Sequence, residues 1–194
     1  MVLVCLAVLV IAVLEWRSVA NVARAARVTS HIRRVESHAE VIRFAAEESG
    51  LDPNLLAAIM LSESGGKVDA VSSADALGLF QLQLGTAGDC ARYMRLPEPT
   101  REELLTESLL NARLGARYLV WLGERFDGNL EQVLIAYNAG PARLRAWIKE
   151  AGGYAAWRAE RVSAGNSDVL AYVAKVERMR ERFAERGNIV PSAP

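Results

Sequence analysis

Apolar residues fill the start of the chain without interruption, and a charged segment follows them. Residues 1–14 carry no charged side chain, and a run of roughly 10–14 apolar residues suits the hydrophobic core of a signal peptide better than a full membrane span. Ser18 and Ala20 place small residues where a signal-peptide cleavage site needs them. The arginines that follow the run favour retention as an uncleaved anchor. Residues 1–20 are therefore predicted to be either a cleaved signal peptide or a membrane anchor.

The rest of the chain has the periodicity of amphipathic helices interrupted by glycine and proline. Residues 21–49 contain neither and are rich in Ala, Arg and Glu, which favours one helix that ends at Gly50. Asp52 is an N-cap before Pro53 at the first position of the next helix. Residues 67–83 are rich in turn residues and predict a small β-hairpin or an irregular loop. Further helices are predicted at 86–94, 107–126, 130–139, 142–150 and 168–186.

The predicted fold class is therefore mainly α, with at most a small β element and an N-terminal hydrophobic helix before the body. We expect four parts along the chain. They are the signal peptide or anchor at 1–20, an Arg-rich helical linker at 21–37, one folded domain at 38–187 and a tail at 188–194.

Charge and composition narrow the class of protein. The chain has 23 basic and 23 acidic residues, but residues 15–37 hold five arginines and two glutamates, so the remainder is mildly acidic. A nucleic-acid-binding protein would show a basic stripe on its body, and no nucleic-acid partner is expected. The basic segment next to the apolar run is either a contact with a membrane surface or a solvated linker helix.

Cysteine and histidine are too few for a disulfide framework or a metal site. The two cysteines, Cys5 and Cys90, form no metal-binding motif. His31 and His38 are the only histidines, and no further Cys or His supplements them as zinc ligands. We expect no metal and no cofactor, and we expect both histidines to be solvent-exposed.

Its position in the sequence makes Glu63 the strongest candidate for a catalytic residue. It follows Leu55 and Ile59 at intervals of four residues and so shares their core-facing stripe at the end of the helix. Partial burial and the negative end of the helix both raise a carboxyl pKa, as a general acid requires. The alternative is a glutamate at a frayed helix end that turns to water. Tyr137 and Asn138 are predicted to point toward the interior at another helix end, where they need hydrogen-bond partners or a ligand.

Several short motifs follow one another along the body in a characteristic order. Glu63-Ser64-Gly65 is followed by Ser72, nine residues after Glu63, and by Gly78-Leu79-Phe80-Gln81. Residues 111–119 read NARLGARYL and residues 136–141 read AYNAGP. These motifs resemble the catalytic segment, the long helix and the AYNAGP signature of the soluble lytic transglycosylase (SLT domain) family. The resemblance covers roughly residues 40–183.

The resemblance implies a lysozyme-like α-helical domain whose groove binds the glycan strands of peptidoglycan on the periplasmic side of the cell envelope. Enzymes of this family cleave the β-1,4 bond between N-acetylmuramic acid and N-acetylglucosamine without water and leave a 1,6-anhydromuramyl end. By resemblance Glu63 is the single general acid and base. The positions that match substrate-binding residues of the family are Ser72, Gln81, Tyr137, Asn138 and, in the looser closing motif, Tyr172.

The chain departs from the family pattern in several places. Where the family usually has an aromatic, Asn and Pro, residues 66–68 are Gly, Lys and Val, and Phe80 replaces the usual Met. We interpret these changes as altered substrate preference rather than lost catalysis. Asp168 stands where many members have a Glu, and it is either a functional carboxylate or a plain helix-starting residue.

Two other functions fit the same motifs. A goose-type-like muramidase would hydrolyse the same bond and leave a reducing end. A peptidoglycan-binding assembly protein would hold the glycan and turn over little.

Overall fold

The computed structural model describes residues 21–23 and 25–190. The predicted signal peptide or anchor at 1–20 lies outside the described residues, as does most of the predicted tail at 188–194. Within the described residues, each helix is too short or too polar to cross a membrane.

The architecture is an assembly of helices joined by short turns, as the sequence predicts. Two isolated β-bridges, Val71 with Leu77 and Leu77 with Leu82, are the only β-pairing within 21–23 and 25–190. The helices are α1 (25–36), α2 (Ala39–Ser49), α3 (Pro53–Glu63), α4 (Leu84–Tyr93), α5 (Arg101–Thr106), α6 (Ser108–Arg125), α7 (Leu130–Ala139), α8 (Pro141–Glu150), α9 (Tyr154–Ala164) and α10 (Asp168–Arg186).

Local sequence signals account for most helix ends. Gly50 closes α2 in the left-handed conformation, with φ of 71°. The Asp52 carboxylate accepts a hydrogen bond from the Asn54 amide at 2.8 Å, and Pro53 follows as the first helical residue. The prediction of one continuous helix over 21–49 is wrong, because Ser37 and His38 form a turn between α1 and α2.

Two helices are present where the sequence pattern predicts only connections. α5 has six residues and begins with a capping box, in which Thr100 and Glu103 bind each other's backbone amide. α9 lies between two glycine-containing turns and buries Trp157 against Trp147 of α8, with ring centroids 5.7 Å apart.

α3 lies at the centre of the core and carries the candidate carboxyl at its end. All seven residues from Leu55 to Leu61 are buried, so α3 is surrounded on every side rather than amphipathic as predicted. α10 packs along α3 and is tied to both of its ends. Arg180 donates to the Asp52 carboxylate at 2.5 Å, and Lys175 donates to the Ser62 carbonyl at 3.2 Å. These bonds to α10 therefore fix the C-terminal end of α3, where the chain leaves the core.

A buried amide ties the loop after α3 to α6. Asn111 is 1% exposed, its carbonyl oxygen accepts from the Phe80 amide at 2.9 Å, and its nitrogen donates to the Leu77 and Leu104 carbonyls, each at 3.0 Å. Gly78 passes so close that a Cβ there would lie 2.3 Å from the Asn111 amide nitrogen. This close approach requires glycine and holds the loop on the core.

Candidate active site

A groove of about 400 Å³ opens at the end of α3. Five of the six residues predicted as site residues line it, and these are Glu63, Ser72, Gln81, Tyr137 and Asn138. The sixth, Tyr172, reaches the same place from α10, because its hydroxyl donates a hydrogen bond of 2.5 Å to Oε1 of Glu63. The structure thus brings together side chains separated by up to 109 residues.

The environment of Glu63 sets its protonation. Burial disfavours the carboxylate and raises the pKa of Glu63 above its ordinary value. The hydrogen bond from Tyr172 and the nearby Lys175 charge act in the opposite direction and lower that pKa. Burial is the largest of these effects, so the carboxyl retains a proton to higher pH than an exposed glutamate, as the sequence predicts.

The loop between α3 and α4 forms one wall of the groove. The Ser72 hydroxyl accepts hydrogen bonds from the Ala74 and Ala76 amides at 3.2 and 3.0 Å. Gln81 adopts the left-handed conformation, with φ of 47°, and its amide nitrogen donates to the Ala70 and Gly78 carbonyls, each at 3.0 Å. These bonds fix the loop and hold the Gln81 side chain in one orientation at the groove.

The end of α7 forms the opposite wall. The Tyr137 hydroxyl donates to the Phe80 carbonyl at 2.7 Å, which joins the two walls. Burial raises the pKa of Tyr137 well above its ordinary value, so the hydroxyl stays a donor. The prediction that Asn138 points into the interior is wrong. It is exposed on the groove wall, because α7 ends one residue later at Ala139 and its last turn borders the groove.

A second cavity of about 460 Å³ extends the groove past Tyr118. The two cavities share Gln83, Thr86, Tyr118 and Gly140. Aromatic rings line the extension, where Tyr118 stacks on Trp121 with centroids 5.7 Å apart. The groove therefore continues beyond Tyr118, where aromatic faces suit the apolar faces of sugar rings.

Three further residues shape this site, and the sequence alone does not assign them to it. Lys175 follows Tyr172 by three residues on α10, and that spacing places both on one helix face. Asn111 lies in the long-helix motif, but its burial depends on the distant loop that it binds. Arg143 lines the groove from the first turn of α8. Asp168 is exposed at the start of α10, a position that suits a helix-starting carboxylate.

The histidines do not behave as predicted. His38 lies 3.1 Å from the Gly66 carbonyl oxygen, and the His31 ring packs against Gly65, where a Cβ would lie 3.2 Å from its Nδ1. Both side chains contact the turn after Glu63 instead of facing solvent, because α1 packs directly on that turn. In the part of the chain that the structure describes, no three His, Cys, Asp or Glu side chains come together as a metal site.

Residues 40–159 match the family model of the Transglycosylase SLT domain. The chain belongs to this family. Among its curated relatives, the soluble lytic murein transglycosylase of Salmonella typhimurium is 30% identical over 119 residues, which are 61% of this chain and 17% of the relative. The membrane-bound lytic murein transglycosylase C of Serratia proteamaculans is 33% identical over 123 residues, which are 58% of this chain and 34% of the relative.

Solved structures of lytic transglycosylases have the same fold. An inactive mutant of the lytic transglycosylase Slt from Pseudomonas aeruginosa matches with a TM-score of 0.67 and 29% identity, covering 78% of this chain and 24% of that one. The 70-kDa soluble lytic transglycosylase in complex with bulgecin A matches with a TM-score of 0.64 and 24% identity. The predicted family and the lysozyme-like, mainly α fold are confirmed. The chain spans only a small part of the length of these relatives.

Proposed function

We propose that this protein is a peptidoglycan lytic transglycosylase in which Glu63 is the single general acid and base. One observation carries the proposal: among the described residues that line the cavity of about 400 Å³ at the end of α3, Glu63 is the only carboxylate, and Asp89 lines only the neighbouring extension. Ordinary retaining and inverting glycosidases need two carboxyl groups that flank the bond. A cavity with one carboxyl, whose pKa is raised by burial, suits a reaction in which the same group donates and then accepts a proton.

In the first step, protonated Glu63 donates its proton to the glycosidic oxygen as the bond from that oxygen to C1 of N-acetylmuramic acid breaks. In the second step, the carboxylate accepts the proton of the C6 hydroxyl while that oxygen bonds to C1. The products are a free hydroxyl on the leaving sugar and a 1,6-anhydro ring, and Glu63 ends protonated. Ser72, Gln81, Tyr137 and Asn138 would hold the sugars against Glu63 from the two walls.

The relatives support the proposal. The relatives named as lytic murein transglycosylases are 29–33% identical to this chain over 119–123 aligned residues. The Pseudomonas structure is that of an inactive mutant in which a glutamine replaces a glutamate, as a reaction with one essential glutamate requires.

The products of digestion test the proposed function. We would incubate the full-length chain with purified peptidoglycan and identify the released muropeptides by mass spectrometry. Muropeptides one water lighter than their hydrolysed counterparts are expected. Reducing-end products would instead show a muramidase. Co-sedimentation with peptidoglycan without any release would show a binding protein.

We also propose that the protein acts at the periplasmic side of the cell envelope and that residues 1–14 attach it to the membrane. The uninterrupted apolar sequence supports this proposal, and one relative is named as membrane-bound. Membranes washed with high salt should retain the protein if the segment is an uncleaved anchor. Recovery of a chain shortened by about 20 residues in the soluble periplasmic fraction would show cleavage instead.

Replacing Tyr172 by Phe should move the pH dependence of the reaction. The Tyr172 hydroxyl lowers the pKa of Glu63, so its loss raises that pKa. Because the first step needs protonated Glu63, kcat/KM falls as pH rises through this pKa, and the alkaline limb of the profile should move to higher pH. The control is Tyr154→Phe, since Tyr154 lies on α9 outside the residues that line the groove. An unmoved limb, or one moved to lower pH, would contradict this role of Tyr172.

A further inference from the structure

The turn that follows Glu63 is held by one side chain from α1 and one from the turn that follows α1. Arg34 on α1 donates to the Gly65 carbonyl at 3.1 Å, and Nε2 of His38 lies 3.1 Å from the Gly66 carbonyl. Because a carbonyl oxygen only accepts, this His38 nitrogen carries the proton. Two consecutive carbonyls, directly after Glu63-Ser64, are thus bound by residues about 30 positions earlier in the chain.

The backbone of α1 lies directly on the same turn. Gly65 and Gly66 have φ of 62° and 78°, and a Cβ on Gly66 would lie 3.0 Å from the Val35 amide nitrogen. Glycine at both positions provides the left-handed conformation and the space for α1.

α1 is fixed firmly enough to hold this turn. Ile32 and Val35 are 1% and 0% exposed in the core. On its other side, Glu36 accepts a two-pronged hydrogen bond from Arg186 at 2.5 and 2.9 Å and a further one from Asn188 at 2.9 Å. All these residues of α1 precede the segment that matches the SLT family model, residues 40–159.

The turn connects the candidate acid to the substrate-binding loop. The Ser64 hydroxyl donates to the Leu79 carbonyl at 2.9 Å and accepts from the Gly66 amide at 3.1 Å. Lys175 binds the Ser62 carbonyl on the other side of Glu63. The backbone on both sides of Glu63 is therefore restrained from other elements, by α10 before it and by α1 after it.

We propose that α1 is a working part of the catalytic domain and that Arg34 and His38 are positioning residues for Glu63. This inference rests on the proposed function. Without the Arg34 bond, the Gly65-Gly66 turn gains freedom, and the Glu63 carboxyl and the Gln81 loop move relative to each other. Loss of alignment lowers the rate of the proton transfers and leaves the groove walls that bind the glycan unchanged.

The experiment compares full-length Arg34→Ala with full-length Arg33→Ala. Arg33 is the neighbouring arginine on α1 and is exposed, so it controls for the loss of one positive charge. Both variants are assayed on purified peptidoglycan at a temperature where circular dichroism shows each to be folded. Arg34→Ala should lower kcat by about tenfold or more with KM changed less than about twofold, and Arg33→Ala should change neither. Arg34→Lys, which keeps a donor, should recover part of the lost kcat.

Equal kcat values for Arg34→Ala and Arg33→Ala would overturn the inference, as would a rise in KM with kcat unchanged. If Arg34→Ala fails to fold, His38→Ala is measured against Ser37→Ala, because Ser37 is an exposed neighbour in the same turn. His38→Ala should then lower kcat with little change in KM, and Ser37→Ala should change neither. A wild-type chain that releases no fragments overturns the proposed function and this inference with it. An active wild type with an unaffected Arg34→Ala overturns the inference alone.

Discussion

The Glu63→Gln variant is expected to lose product release while keeping its fold. A side chain that takes part in both proton transfers contributes on the order of 10³ or more to the rate. Among the described residues, no other carboxylate lines the cavity at the end of α3 and could replace it. Glutamine has nearly the same shape, and its carbonyl oxygen can still accept the hydrogen bond that Tyr172 now donates to Oε1. The readout is the rate of muropeptide release, together with thermal unfolding.

The effect of this substitution on stability has a predictable sign. Burial raises the pKa of Glu63, so the folded state binds a proton more tightly than the unfolded state. Ionisation at pH values above the unfolded-state pKa therefore costs stability, and neutral glutamine removes that cost. Glu63→Gln should unfold at the same temperature as the wild type or a higher one near neutral pH.

Glu160→Gln is the matched control, because Glu160 is exposed on α9. It should keep wild-type activity. Residual activity of Glu63→Gln within about tenfold of the wild type would contradict the role of Glu63 as acid and base.

The Asn111→Ala variant is expected to lose both stability and activity. The substitution leaves the Phe80 amide and the Leu104 carbonyl without the Asn111 partner, while the Leu77 carbonyl keeps the hydrogen bond from the Leu82 amide at 3.0 Å. An unsatisfied buried polar group costs about 1–3 kcal/mol, so we expect a loss of about 3–5 kcal/mol in the free energy of unfolding. Activity should fall as well, because Phe80 precedes Gln81 and its carbonyl binds Tyr137.

Urea unfolding followed by circular dichroism measures this loss. The control is Asn166→Ala, because Asn166 is exposed in the turn between α9 and α10 and exposed substitutions change stability by about 0.5 kcal/mol or less. A loss below about 1 kcal/mol for Asn111→Ala would show that water or a rearranged loop satisfies the Phe80 amide and the Leu104 carbonyl.

The sequence predicts elements best where the signal is local. The Asp52-Pro53 start of α3, the Gly50 end of α2 and the start of α10 at Asp168 each depend on a few neighbouring residues, and the structure has all three. Hydrophobic periodicity does not predict α5, because its six residues are too few to show a helical repeat. Its capping box, Thr100 with Glu103, was a usable signal.

Hydrophobic periodicity carries no information about contacts between segments that are distant in the sequence. The position of Glu63 on the core-facing stripe of α3 predicts its raised pKa, but only the folded chain shows that Tyr172 and Lys175 oppose that effect. The contacts of the two histidines are even harder to predict from the sequence. Nothing near His31 or His38 in sequence indicates that α1 folds back on the turn after Glu63, because that contact depends on two glycines about 30 residues away.

The most direct test of the central claim is digestion of peptidoglycan in water labelled with heavy oxygen, using the full-length wild-type chain. If Glu63 directs the muramyl C6 hydroxyl onto C1, the new ends contain no oxygen from the solvent and every released fragment keeps its unlabelled mass. Glu63→Gln should then release nothing. Heavy oxygen at the new muramyl ends would mean that water attacks C1, and it would contradict the transglycosylase account in favour of hydrolysis.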